Sequence, residues 1–243
     1  MSNTTLCFDF GNTRQKCAVF KQGNLVEVRV LEEHLEDSVL SLIQEFQPNF
    51  SILSSVIHHS SNIQEILETN TSFHLLNHNS RLPITTPVGK PSTIGADRLA
   101  LCAAAVHLFP NQHNLAIGLG SCITYNYISP RNEFLGGSIS PGMNMRFKAM
   151  HEQTALLPLV EATQQFPLVG YDTKTNLQSG VILGISAEID GFIEQYAQKF
   201  SNFNVLLTGG DMPFFVPHLK KRIFADPYLI FKGLYAISEL NHS

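Results

Sequence analysis

The segment FDFGNTRQKC, beginning at Phe8, has a counterpart in IGLGSCITYN, beginning at Ile117; each runs strand, glycine turn, strand, and the two stand 109 residues apart. A chain that repeats one supersecondary unit is read as two similar halves, because each copy must bury its own sheet face. The expectation is an α/β protein of two duplicated domains, 1–114 and 115–243, with ligands in a cleft between them.

The rest of the pattern fits that frame. TLCFDF, KCAVF and NLVEVRV read as three strands of an antiparallel meander, separated by GNT and KQGN turns. Leu35, Val39, Leu42, Ile43 and Phe46 recur at helical spacing before Pro48, followed by a buried strand at 50–56, a helix around Ile63–Leu67 and a strand at 73–76. The proline-bearing loop RLPITTPVGKPST leads to a buried, alanine-rich helix over 96–109. LAIGL, CITYNYI and EFLGGSI form the second meander, MNMRFKAM and 173–200 are helical, NVLLTGG is a buried strand, and a helix from about 230 to 240 closes the chain.

Composition narrows the function classes. Net charge is −4, and the 16 Lys and Arg residues form no run or aromatic–basic stripe, so nucleic acid is not an expected partner. The apolar run from Leu99 to Phe109 is too short to cross a bilayer, and Asp9 interrupts any signal-peptide core, so a soluble protein is expected. Cys7, Cys17, Cys102 and Cys122 have neither disulfide-framework nor C-x-x-C spacing, which fits a reducing cytoplasm. Charged residues are only 15% of the chain, below the roughly 25% of typical domains, which predicts a surface covered by a second copy. The ten histidines lack metal-ligand spacing, and no zinc site is expected.

Two segments carry candidate chemistry. In Asp9-Phe10-Gly11-Asn12-Thr13-Arg14-Gln15-Lys16 a tight turn can gather backbone N–H groups and a hydroxyl around phosphate, with Asp9 holding Mg²⁺ directly or through water. The same residues also suit an ordinary hairpin turn, and the chain has no G-x-x-x-x-G-K-[ST] loop. Gly95-Ala96-Asp97-Arg98 opens a helix, where the helix end and Arg98 both favour an ionised Asp97 able to accept an alcohol proton. Arg98 could pair with a substrate carboxylate. Gly136-Gly137, Pro141-Gly142 and Thr208-Gly209-Gly210-Asp211 are further turns where backbone can approach a ligand.

Taken in order, DFGNT, GADR, GS-x-x-T, FLGGSISPGMNMRFKAM and TGGD resemble the type III pantothenate kinases, a family within the actin-like ATPase, sugar-kinase and heat-shock-protein ATPase superfamily. The resemblance implies two ribonuclease-H-like halves, a homodimer, and MgATP-dependent phosphorylation of pantothenate to 4′-phosphopantothenate, the first step of coenzyme A synthesis. By the same resemblance, Asp9 through Lys16 and Ser121 match nucleotide-binding positions, and Gly95, Ala96, Asp97 and Arg98 match the pantothenate segment, with Asp97 the general base. Thr173 matches a threonine that reaches substrate across the dimer interface, and Val88 stands where many members have a substrate-side tyrosine. Gly118 replaces an aspartate that helps hold a monovalent cation, K⁺ or NH₄⁺, so the carboxylate expected of that site is missing. The departures at Gly118, Ser121 and Val88 leave a rival reading, a non-catalytic regulatory or binding homologue of the same fold. A third is a kinase or phosphohydrolase of that fold acting on another substrate.

Overall fold

The computed structural model describes residues 3–86 and 93–242, so Val88 lies outside the described residues. The first repeat runs β1 (Thr4–Phe10), β2 (Gln15–Lys21), β3 (Asn24–Val30), α1 (Leu35–Phe46), β4 (Phe50–Ser55), α2 (Ser61–Asn70), β5 (Ser72–Leu75) and α3 (Ala96–Leu108). The second runs β6 (His113–Leu119), β7 (Cys122–Ile128), β8 (Phe134–Pro141), α4 (Met143–Glu152), α5 (Thr173–Lys199), β9 (Phe203–Thr208), α6 (Met212–Phe215), a 3₁₀ turn (Val216–His218), β10 (Phe224–Ala225) and α7 (Leu229–Asn241).

The strand orders are β3-β2-β1-β4-β5 and β8-β7-β6-β9-β10, so the second sheet repeats the first strand for strand. In the first, β1 pairs antiparallel with β2 and parallel with β4, which pairs parallel with β5. In the second, β6 and β9 are parallel, as are β9 and β10. Gln22 and Gly23, at φ 51° and 82°, join β2 to β3 in two left-handed steps, the turn whose twist suits a hairpin. Sequence patterning misses α6, the 3₁₀ turn and β10. MPFF and VPH are too short to show a period and contain prolines, and β10 is two exposed residues.

Compactness divides the chain differently from the repeat. One unit comprises Met1–Asn111, Ile128–Leu135 and Tyr228–Ser243; the other comprises Gln112–Tyr127 and Gly136–Pro227. Helix α7, the last element of the second repeat, therefore belongs to the first unit. In that unit β1 is buried on both faces, which is why its sequence shows no alternation. Leu6, Phe8, Phe10, Val19 and Leu53 pack under α1 and α2, while Cys7, Ala18 and Ile52 pack under α3 and α7. In the second unit a single core joins Ile117, Tyr125 and Leu207 of the sheet to Ile182, Ile185 and Ile189 of α5.

Helices α3 and α7 meet backbone to backbone. A Cβ on Gly233 would stand 1.9 Å from the carbonyl oxygen of Ala100 and 3.1 Å from the nitrogen of Ala104. Because neither is a flexible side-chain end, Gly233→Ala must push the helices apart, and it is expected to lower unfolding stability by about 1–3 kcal/mol in a urea titration.

Candidate active site

The first group of site residues is placed by strand alternation. Cys7, Ala18 and Ile52 face α3 and α7, so the next residues along the same face are Asp9, Lys16 and Ser54. The register sets them side by side across three strands, with Asp9 opposite Lys16 on β2 and opposite Ser54 on β4. Helix α3 brings the second carboxylate. Ala96, Ala100 and Ala103 pack into the same core, and Asp97, in the first turn, comes close enough to Asp9 for the two charges to repel.

Burial is the largest influence on both acids. Asp9 is pushed up to about 7, first by desolvation and then by Asp97, with Lys16 offsetting part of the rise. Asp97 is also raised by desolvation, against the charge of Arg98 and hydrogen bonds from the backbone N–H groups of Arg98 and Asp97. The sequence argument that Asp97 favours its ionised form identified real contributions, but burial outweighs them. A Cβ on Gly95 would stand 2.5 Å from Oδ1 of Asp97, so this glycine makes the room into which the carboxylate folds. Arg98 lays its guanidinium over the Phe134 ring, 5.4 Å from its centre.

Gly11 to Arg14 connect β1 to β2. Gly11 N–H donates to the Arg14 carbonyl at 3.2 Å, and Nε2 of Gln15 donates to the Gly11 carbonyl at 3.0 Å. Asn12, Thr13 and Arg14 form an exposed tip, while Phe10 is buried edge-on to His59. The structure thus brings Asp9, Lys16 and Asp97 together in one unit with the GNTR hairpin.

The other candidates lie in the second unit. Gly118, the penultimate residue of β6, lies opposite Thr208, and Ser121 is exposed on the two-residue link between β6 and β7. The Gly142 N–H, at the start of α4, donates to the Ser121 carbonyl at 3.0 Å, and the Asp211 N–H donates to the Leu119 carbonyl at 3.2 Å. Gly209 adopts φ 109°, and a Cβ there would stand 2.1 Å from the Leu119 carbonyl oxygen. Three glycine turns remote in sequence therefore pack on one another, and burial raises the Asp211 carboxyl beside them. Thr173 is exposed at the start of α5, after an Asp172–Thr175 capping box, and lines a groove of about 880 Å³ with Met145, Arg146, Met150 and Leu177.

One polar cluster escaped the sequence reading. Glu188 of α5 accepts from Tyr125 at 2.9 Å, from Ser140 and from Arg146, whose Nε also donates to the Pro141 carbonyl at 2.9 Å. Burial works to raise Glu188, but the bonds from Ser140, Arg146 and Tyr125 prevail and hold it below the usual range. The signal available in sequence was an acid between Ile185 and Ile189, inside an apolar stripe. Among the described residues no group of three or more His, Cys, Asp or Glu is arranged around a metal, and no helix is long and apolar enough to cross a membrane.

A family model described as type III pantothenate kinase matches residues 5–195. The type III pantothenate kinase of Cytophaga hutchinsonii is 41% identical over 236 residues, 97% of this chain and 99% of that protein. That of Flavobacterium johnsoniae is 38% identical over 232 residues, 94% of this chain and 95% of its own. Among solved structures, a Campylobacter jejuni protein described as a Baf family transcriptional activator shares the fold with a TM-score of 0.61 at 22% identity, over 98% of both chains. The glucokinase from an Antarctic psychrotroph does so with a TM-score of 0.52 at 9% identity, over 99% of both. The paired five-stranded sheets and their helices are the actin-like ATPase architecture.

Because the pKa of Asp9 is higher folded than unfolded, its proton stabilises the folded state, and that stability is lost as pH rises from about 4 through about 7. In chelator-treated buffer, Asp9→Asn is expected to be more stable than the parent by on the order of 2 kcal/mol above pH 8, a value discounted for partial exposure. The advantage should vanish below about pH 4, as read by urea unfolding across pH.

Proposed function

The chain belongs to the type III pantothenate kinase family, and we propose that Asp97 is its general base in phosphorylating pantothenate to 4′-phosphopantothenate. The observation that carries this reading is the pair Asp9 and Asp97, two half-buried acids raised by burial at the end of β1 and the start of α3. The primary hydroxyl oxygen of pantothenate attacks the γ-phosphorus of ATP, the bond from that phosphorus to the β–γ bridging oxygen breaks, and the hydroxyl proton passes to Asp97. A carboxylate with a raised pKa suits that task, since it is more basic than a solvated one.

Phosphoryl transfer depends chiefly on positioning and charge stabilisation. The Gly11–Arg14 turn, Gln15 and Lys16 would hold the nucleotide phosphates, and Ser121 matches a nucleotide-binding position of the family by its sequence. Gly95, Ala96 and Arg98 would line the pantothenate side, where a guanidinium can take a carboxylate. Asp9 fits Mg²⁺, because that ion is usually held by one or two carboxylates together with substrate phosphates, and no larger acidic cluster is needed. When bound, the ion supplies positive charge to the phosphate oxygens. Gly118 offers no carboxylate, so no K⁺ or NH₄⁺ requirement is assigned to that position.

A homodimer is part of the proposal. Leu156, Leu168, Val169 and Tyr171 are exposed by 92, 78, 80 and 81%, all in the stretch before α5, and the Thr173 groove is lined mostly by apolar groups. A surface this apolar on one stretch is what a partner subunit covers. A second copy seated there would put Thr173 at the interface. Sedimentation at micromolar concentration should give a dimer, and Val169→Asp with Tyr171→Asp should shift it toward monomer.

Asp97→Asn is expected to lower pantothenate-dependent ADP formation roughly 10²- to 10⁴-fold while leaving nucleotide binding in place. Unchanged turnover would exclude Asp97 as the base. Replacing sodium by potassium or ammonium should change parent turnover little, and strict dependence would show that other groups complete a cation site.

A further inference from the structure

Four buried polar atoms among the described residues have no hydrogen-bond partner, and one of them, Oγ of Ser54, stands in register with the Asp9 carboxylate. Ser54 has no exposed surface. Its neighbours on β4 behave otherwise. Ser55, on the opposite face, donates to the Ile57 carbonyl at 2.9 Å and meets Nδ1 of His59 at 3.1 Å. Ser51 shares a bond with the Thr71 hydroxyl. The strand therefore satisfies its other hydroxyls locally and leaves unpartnered the one beside Asp9.

We propose that Ser54 is a positioning residue for Asp9, its hydroxyl donating to the carboxylate directly or through one water when the metal–nucleotide complex is bound. Adjacent strands lie about 4.8 Å apart, so rotation about one bond, or one bridging water, can span the gap between side chains in register on one face. Lys16 flanks Asp9 from β2 and Ser54 flanks it from β4, on the same face of the sheet. A carboxylate that receives a hydrogen bond from a strand-fixed hydroxyl keeps one oxygen directed at its ligand, which the charge of a flexible neighbouring lysine does not ensure. An alanine would fill the strand position without burying a lone hydroxyl, which gives the hydroxyl no structural reason to be there. The inference rests on the assignment of Asp9 to the metal–nucleotide complex made above.

The test compares the parent with Ser54→Ala, Ser54→Thr and Asp9→Ala, measuring ADP binding by calorimetry with Mg²⁺ and with chelator, and the melting temperature without ligand. Ser54→Ala is expected to melt at or above the parent temperature, because it removes an unpartnered hydroxyl. Its affinity for MgADP should fall about tenfold, with metal-free ADP binding unchanged, and Ser54→Thr should recover most of the loss. Parent-like MgADP affinity in Ser54→Ala would overturn the proposal, as would equal weakening with and without metal. If Ser54→Ala does not fold, Ser54→Cys, similar in size but a weak donor, should show the same selective loss, and parent-like behaviour would count against the proposal. If Asp9→Ala binds MgADP as the parent does, the assignment of Asp9 to the metal has failed, and the role of Ser54 fails with it.

Discussion

Everything at the site depends on one enforced proximity, that of the Asp9 and Asp97 carboxylates. They are brought together by apolar packing between α3 and the sheet, where Ala96, Ala100 and Ala103 meet Cys7, Ala18 and Ile52. Small residues on both surfaces let the helix lie close, and the acids are the next groups out along the same two surfaces. Their desolvation, to which the charge of Asp97 adds at Asp9, opposes folding, and the hydrophobic contact beneath them offsets that cost. Helix α7 reinforces it from beside α3 on the same face of the sheet, with Gly233 against Ala100.

The same arrangement gives the two acids different settings. Asp9 sits on a strand, between Lys16 and Ser54, in a position set by sheet register and unable to shift without breaking pairing. Asp97 sits in a helix first turn, with its carboxylate folded over Gly95 and held by backbone N–H groups. A carboxylate held by sheet register suits the metal–nucleotide role proposed for Asp9.

The sequence revealed the elements that carry a long or repeated pattern. The amphipathic period of residues 35–46, the alanine-rich helix at 96 and the paired glycine hairpins all appear where the pattern put them. It also exposed Asp9 and Asp97 through their glycine neighbours, because glycine marks where chain or side chain must approach closely. The repulsion between the acids was not legible, since it depends on two surfaces 88 positions apart in the chain meeting. The direction of the Asp97 shift was misjudged for the same reason: local charges can be read from GADR, but desolvation cannot. Ser54 and Glu188 were invisible because nothing in a strand or helix pattern says which polar side chain will be buried. The short α6 and β10 carry too few residues to register at all.

The central claim is that Asp9 and Asp97 form one close, partly desolvated pair. The most direct measurement is a titration of the aspartate side-chain carboxyl carbons by ¹³C NMR, in the metal-free protein and in Asp97→Asn. Desolvation predicts that both resonances titrate above the ordinary carboxylate range, Asp9 near 7, and proximity predicts that Asp9 moves down when Asp97 is neutralised. Two independent titrations near pH 4, unchanged by the substitution, would contradict it.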